Sequence, residues 1–484
     1  MTSTRDSRWL ALLVCCSAMF MTLLDVSVTN VALPSIHRST GAGSSELQWV
    51  VSAYTLAFGL VPVLGGRLGD DYGRQRMFLV GVATFAATSM LAGLAPTAWL
   101  LIVARVLQGL SGGLINPQVS GLIQQMFQGA ERGRAFGMMG TTVGLGTALG
   151  PIVGGALIEL GGPHIGWRLV FFINVPIGIA VVTMARKLLP KHPPTGHHRL
   201  DVLGSALLGS ATLCILLAAV EYTSLKDPRL FWLGVPAAAL FGLFIRRERR
   251  LTRAEADPLV DMRLFRRPSY TAGIALALTY FPAMAGLPFV MAIYYQDGLG
   301  YSALQSAFGV TAYALGNAVS APTAGRFVIR VGRPLVVAAA ITFGIGAIAL
   351  ALVVHQGPTH HAGLLVAAPL FVMGCGSGAL ITPNQTLSLI DVDPVVGSTA
   401  GGVLQTAQRI GLAIGQAVIT SVFFAALGAG RGAGAYGRAV ATAVVAALCF
   451  VAIAIAVGVI DLRAARRRDG AAASRPGPRA AGPR

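Results

Sequence analysis

Gly66-Arg67-Leu68-Gly69-Asp70-Asp71-Tyr72-Gly73-Arg74 lies between two apolar stretches, and it returns in the second half of the chain as Gly325-Arg326-Phe327-Val328-Ile329-Arg330-Val331-Gly332-Arg333. Gly, Arg, Gly and Arg keep their spacing, while Ile329 stands where Asp70 stood. A second pair of segments repeats in the same way: Ser111-Gly-Gly-Leu-Ile-Asn-Pro-Gln118 and Ser377-Gly-Ala-Leu-Ile-Thr-Pro-Asn384. Self-similarity of this kind marks a fold assembled from two copies of one unit.

The segments around these repeats belong in a membrane. The chain is 54% hydrophobic and 12% charged, whereas a soluble domain carries about 25% charge. Apolar runs long enough to cross the hydrocarbon fall near residues 9–33, 47–65, 77–95, 98–124, 135–159, 167–188, 201–221, 230–245, 270–296, 302–324, 335–355, 362–388, 398–427 and 439–460. The expected fold is all-α and polytopic, with 14 transmembrane helices of which the first six match the last six. We therefore divide it into an N-terminal half (1–189), an inserted helix pair (190–245), a cytoplasmic linker read as a solvated amphipathic connector (246–268), a C-terminal half (269–460) and a basic, disordered tail (461–484).

A net charge of +18 invites a nucleic-acid reading, and its distribution argues otherwise. Arg38, Arg168, Lys226, Arg229, Arg431 and Arg438 fall opposite the N-terminal side, and Arg105 and Arg409 lie within spans; every other Lys and Arg is on the N-terminal side. By the positive-inside bias that side is the cytoplasm, so both termini are cytoplasmic and the charge records topology in a plasma (inner) membrane. Arg5 and Arg8 precede an apolar run too long for a signal peptide, so the first helix is expected to be retained. Cys15, Cys16, Cys214, Cys375 and Cys449 sit within spans, and neither disulfides nor a metal site are expected. No Ser/His/Asp arrangement or nucleotide-binding loop is present, and His197 and His198 lie in a loop among prolines, which argues against an enzyme or an ATP-driven pump.

An ionisable residue inside a span is costly and functional by default. Asp25 lies about 12 Å inside the outer end of the first helix, and Arg105 lies at about the same depth in the fourth. Two readings stand: a proton switch, in which protonation of Asp25 releases Arg105, and a static ion pair that holds packing. The second half has no equivalent, because Phe371 occupies the place of Arg105 and Asp297 is near an outer end. Arg409, beside Gln405 and Gln408 in the thirteenth helix, either meets an anionic group on cargo or snorkels toward the cytoplasmic surface, with the second slightly favoured. Asn30, Tyr54, Gln108, Asn116, Asn317, Asn384, Gln385, Gln405 and Arg409 are the candidate cavity residues. Taken singly, each is more often an interhelical contact than a ligand contact. In the fifth helix, Gly146, Gly150 and Gly154 recur every fourth residue, so one face lacks side chains and admits a neighbouring backbone. Pro151 is expected to add a bend there, and Gly155 completes the glycine-rich stretch.

Several of these segments resemble motifs of the major facilitator superfamily. Gly146 to Gly155 resembles its antiporter motif; Gly66, Asp70, Gly73, Arg74 and Arg76 resemble its signature loop. Leu24-Asp-Val-Ser-Val-Thr-Asn-Val-Ala-Leu-Pro34, Arg105-Val-Leu-Gln-Gly109 and Trp167-Arg-Leu-Val-Phe-Phe-Ile-Asn-Val-Pro-Ile-Gly178 are similar to stretches of its fourteen-span drug:H+ antiporters, the EmrB/QacA-like family. The resemblance implies that Asp25 and Arg105 lie on neighbouring helices and couple protons to transport. It implies that Asp70 faces the start of the thirteenth helix near Ser398, as a latch carried by the first half alone. It further implies alternating access by rocking of the two halves, with a small amphipathic substrate and protons as partners. Export would be driven by the proton gradient with no cofactor, in a bilayer and by a monomer. The alternatives are a dedicated metabolite or lipid carrier and a proton-coupled uptake symporter of the same fold.

Overall fold

Apolar sequence in long runs leaves the backbone no water to bond, so each segment satisfies its own amides as a helix. In the computed structural model all regular structure among the described residues, 4–191, 201–225, 227–301, 303–356, 362–430 and 432–473, is helical. The first half comprises α1 (Thr4–Thr40), α2 (Ser44–Leu60), α3 (Pro62–Tyr72), α4 (Arg74–Leu94), α5 (Ala98–Met126), α6 (Gly129–Phe172) and α7 (Asn174–Leu188). The inserted pair is α8 (Val202–Leu225) and α9 (Gly234–Arg253). The second half comprises α10 (Pro268–Ile293), α11 (Ala303–Val331), α12 (Arg333–His355), α13 (Ala362–Ser388), α14 (Gly397–Leu427) and α15 (Ala433–Ala473).

Among the described residues twelve helical stretches are long and apolar enough to cross a membrane, and α2 with α3, bent by 47°, makes a thirteenth if the pair is one span. The expected tenth span falls on α11, whose 29 residues give ample length while Thr311, Asn317, Ser320 and Thr323 dilute its apolar run. It is packed between α6 and α13. The segment Gly66 to Tyr72, read as a loop, is instead helical: Pro62 ends α2 early and starts α3, and the turn is confined to Gly73. Its φ of 99° is one that only glycine adopts readily. The break in α6 is at Gly162 (φ 70°), and the helix runs through Pro151 with helical backbone angles.

The repeat seen in the sequence reappears as one packing pattern used twice. In the first half α1 packs on α6, α2 and α4 on α5, and α7 on α1 and α4. In the second, α10 packs on α14, α11 and α12 on α13, and α15 on α10 and α12. Even the tight spots correspond: at the aligned glycines Gly112 and Gly378 a Cβ would lie 3.0 Å from the Phe58 ring of α2 and 2.4 Å from the Asn317 carbonyl of α11. The halves meet reciprocally, α6 against α11 and α3 against α14. Tyr54 and Phe58 anchor one hydrophobic core in the first half, and Tyr280 and Phe343 anchor another in the second.

The contacts between halves include a cluster at the end that carries the basic segments. Asp70 accepts from the backbone N–H groups of Ser398 (3.1 Å) and Thr399 (2.8 Å) and from the Thr399 hydroxyl (2.8 Å), so a carboxylate of α3 caps α14. Arg74 donates to Asp70 (2.7 Å), to the Gly121 carbonyl (2.9 Å) and to the Val395 carbonyl (3.0 Å) across the interface. Close approach requires glycine at Gly66, where a Cβ would lie 2.3 Å from the Ser398 carbonyl. Arg76, the last residue of that motif, is exposed. In the second copy Arg333 pairs instead with Asp461 of α15.

The glycine face of α6 packs within the first half. Added Cβ atoms at Gly146, Gly150 and Gly154 would lie 2.9, 2.2 and 2.9 Å from Leu23, Ser27 and Val28 of α1, whereas one at Gly155 would meet nothing within 4 Å. The linker after α9 is docked, in contrast to the solvated connector expected: Leu259 and Val260 are buried, and buried Glu248 accepts from the Val260 N–H at 2.9 Å. Beside it Asp201 receives Arg247 at 2.8 Å and caps α8 through the Gly204 N–H. Burial pushes the Asp201 carboxyl up, but these hydrogen bonds outweigh it and hold the group below its usual range. The tail expected to be disordered from 461 continues α15 as far as Ala473, and residues 474–484 lie outside those described.

Asp70→Ala should strand the buried Arg74 guanidinium and uncap α14, costing about 3 kcal/mol or more. We expect a lower melting temperature in detergent, with Asp70→Asn less affected; an unchanged Asp70→Ala would show that this contact does not hold the halves. Gly150→Ala should destabilise by forcing α6 off α1, whereas Gly155→Ala should be neutral or gain up to about 1 kcal/mol of helix propensity. The same melting assay compares the two, and equal losses would contradict the packing described.

Candidate functional site

Asp25 lies in the interior of the first half, 1% exposed, where the cost of a bare carboxylate forces it to find donors. It finds them on α5 and α7. Arg105 Nη1 donates to one oxygen, and Gln108 Nε2 and Asn174 Nδ2 donate to the other at 2.8 Å each. Arg105 is fully buried and is itself held on several sides: its Nε donates to the Val50 carbonyl of α2 (3.0 Å), Nη1 also donates to Gln108 Oε1 (2.8 Å), and its guanidinium lies 4.2 Å above the Tyr54 ring. Asn174 passes the network to α4, donating to Ser89 Oγ at 2.9 Å, which donates to the Phe171 carbonyl. One carboxylate thereby touches or organises α1, α2, α4, α5 and α7.

Such a pair suits a switch because its two states differ sharply in energy. Complete hydrogen bonding is what makes a buried ion pair tolerable, and removing one partner's charge leaves the other uncompensated at a cost of roughly 3–5 kcal/mol.

The structure distributes the other candidate residues over several roles. Gln108 belongs to the Asp25 network and Tyr54 lies beneath Arg105, its hydroxyl donating to the Thr22 carbonyl at 3.4 Å. Asn30 is exposed at the far end of α1 from the basic segments. Asn384 donates to the Gly273 carbonyl at 3.2 Å, a packing bond between α13 and α10. Asn317 donates to Ser377 at 3.1 Å, joining α11 to α13. Gln385 and Gln405 both donate to Ser120 Oγ of α5, at 3.3 and 3.1 Å, so one hydroxyl ties α13 and α14 to the first half. Asn116 is buried with its carbonyl oxygen unpartnered.

Arg409 does not reach toward the basic surface. Its guanidinium lies 4.3 Å above the ring of Phe58, at the interface between α14 and α2. Twelve residues into α14, it sits about 18 Å from that helix's start. Snorkelling is therefore not the conformation adopted, and the aromatic face supplies the local stabilisation.

Asn174, Ser89 and Ser120 were not singled out from the sequence. Asn174 had a signal, being a lone amide in the apolar run Phe171-Phe172-Ile173-Asn174-Val175. A single serine on an apolar helix gives none, since its usual partner is its own backbone.

Comparison with known proteins agrees with this architecture. The profile of the Major Facilitator Superfamily matches residues 15–416. A probable actinorhodin transporter of Streptomyces coelicolor is 37% identical over 424 residues, 87% of this chain and 73% of that protein. A puromycin resistance protein of Streptomyces alboniger is 34% identical over 465 residues, 94% and 90% of the two chains. The riboflavin transporter of Clostridioides difficile is 30% identical over 423 residues, 87% and 89%. Among solved structures, a human organic anion transporter superposes with a TM-score of 0.66 at 15% identity over 92% of this chain and 99% of its own, a likeness of fold alone. Repeat, helix packing and relatives lead to one conclusion: the chain is a multi-pass membrane protein that belongs to the Major Facilitator Superfamily, whose members are transporters rather than enzymes, and its relatives are mostly exporters of drugs and antibiotics.

Proposed function

We propose that this protein is a proton-coupled antiporter of the fourteen-span, EmrB/QacA-like type, exporting hydrophobic or amphipathic drugs or metabolites across the plasma (inner) membrane by alternating access. Its termini would lie in the cytoplasm, where the basic segments belong. It would act as a monomer, need no cofactor and draw on the proton gradient. The observation that carries the reading is the fully buried Asp25–Arg105 pair, engaged while Asp70 of the same half caps α14 of the other.

The residues suggest how the two are linked. With Asp25 ionised, Arg105, Gln108 and Asn174 converge on it and hold α5 and α7 against α1. The outer stretch of α6 rides on α1 through its glycine face, and the inner stretch of α6 packs against α11. A proton arriving at Asp25 removes the attraction for Arg105, which keeps the Val50 carbonyl, Gln108 Oε1 and the Tyr54 ring but no opposite charge. Without that attraction the first half rearranges, weakening the Asp70 cap so that the basic end opens. There the proton leaves and cargo enters; re-formation of the ion pair returns the molecule to the closed cap. A cost of a few kcal/mol per protonation is enough to invert a two-state population.

The riboflavin transporter among the relatives favours a second reading, a dedicated metabolite carrier or uptake symporter on the same scaffold. Everted membrane vesicles with an acid interior separate the two. We expect wild type to accumulate a toxin from a chemically diverse panel and to release protons as it does so, with both lost in Asp25→Asn at equal expression. Net movement in the opposite direction would support uptake, and transport unaffected by Asp25→Asn would return Asp25 to a packing role.

A further inference from the structure

Arg74, Arg105 and Arg409 are among the arginines drawn into the interior of this molecule, and of these only the first two have a carboxylate. Arg74 faces Asp70 and Arg105 faces Asp25. For Arg409 the described residues supply neither an ion pair nor a hydrogen bond, only the face of Phe58 at 4.3 Å. Since Asp25 and Arg105 cancel, Arg409 leaves this depth of the bundle with a net positive charge. An uncompensated cation far from either surface is costly, and one ring face offsets only part of that cost.

The surroundings of Arg409 are also unspent. It is partly exposed in the crevice between α14 and α2. Gln405, one turn earlier on α14, has an unpartnered carbonyl oxygen, and Gln408 has an unpartnered amide nitrogen. The N–H donors of Arg409 meet no acceptor among the described residues, and a guanidinium fork matches a carboxylate or an ionised phenol. Phe58 and Tyr54, 5.9 Å apart between ring centroids and tilted by 34°, are themselves buried in the core, so Phe58 forms a fixed floor under the guanidinium.

We propose that Arg409 is the anion-recognition point of the cargo site, so that the preferred cargo bears an acidic group. The acid meets the N–H groups of Arg409, and Gln405 and Gln408 bond polar substituents. The inference deepens the export reading by naming the class of cargo, and it depends on that reading only in calling the ligand cargo.

Fluorescein and rhodamine 123 share a xanthene body and differ in charge, which makes them suitable probes. Their binding to the purified, detergent-solubilised full chain is read by fluorescence anisotropy. We expect wild type to bind fluorescein more tightly than rhodamine 123. Arg409→Gln should weaken fluorescein about tenfold or more while leaving rhodamine 123 unchanged or tighter. Arg409→Lys, which keeps the charge without the planar fork, should retain the preference at reduced affinity; both variants are checked for a monodisperse elution profile. Equal or weaker binding of fluorescein by wild type overturns the proposal, as does an Arg409→Gln variant that binds fluorescein normally. No proton gradient is present in this assay, so failure of the coupling reading would leave its result intact and would show only in vesicles.

Discussion

Arg105 is buried in the interior of the first half, so its charge has to be met inside the protein. That requirement organises the first half. Asp25 supplies the opposite charge, Gln108 and Asn174 complete its hydrogen bonds, and Tyr54 and Val50 occupy what is left of the guanidinium. Helices from opposite ends of the half are thereby registered at one point, and glycines such as Gly109, where a Cβ would lie 2.4 Å from the Tyr54 carbonyl, let the backbones come close enough for it.

The two halves share a packing plan and differ in chemistry. Where the first has Arg105 the second has Phe371, which is exposed on the outside of α13; where the first has Asp70 the second has Ile329. The buried ion pair and the capping carboxylate thus belong to the first half, and the helix end that receives the cap belongs to the second. The cap on α14 is the clearest case, since α3 provides the carboxylate and α14 only the N–H groups of Ser398 and Thr399. An asymmetric division of this kind makes the contact between two otherwise similar bodies depend on groups carried by one of them.

Much of this was legible in the sequence because membrane physics writes in large letters. Long apolar runs, arginines concentrated on one side and two repeated segments were enough to recognise an all-helical membrane fold built from two similar halves. Asp25, Arg105 and Asp70 stood out because an acid or base deep in such a chain, or repeated motifs that differ at one acid, needs an explanation. What the sequence concealed depended on partners distant in the chain. Asn384 read as a cavity residue but bonds the Gly273 carbonyl; Ser120 read as nothing and receives two amides from the other half. The short helix α3 was hidden because its glycines suggested a loop, although Pro62 starts a helix and tertiary contact with α14 keeps it. Arg409 was drawn toward the surface in the sequence reading because snorkelling needs no partner, and only the position of Phe58 shows why it stays inside.

The central claim is that the charge on Asp25 sets whether the basic end is closed. Spin labels at Tyr72 and Val395, both exposed and on opposite halves beside the Asp70 cap, report that closure by pulsed electron resonance in a background without native cysteines. With Asp25 intact at alkaline pH the account predicts a narrow, short distance distribution, and Asp25→Asn should shift it to longer distances. Identical distributions in the two proteins would contradict it.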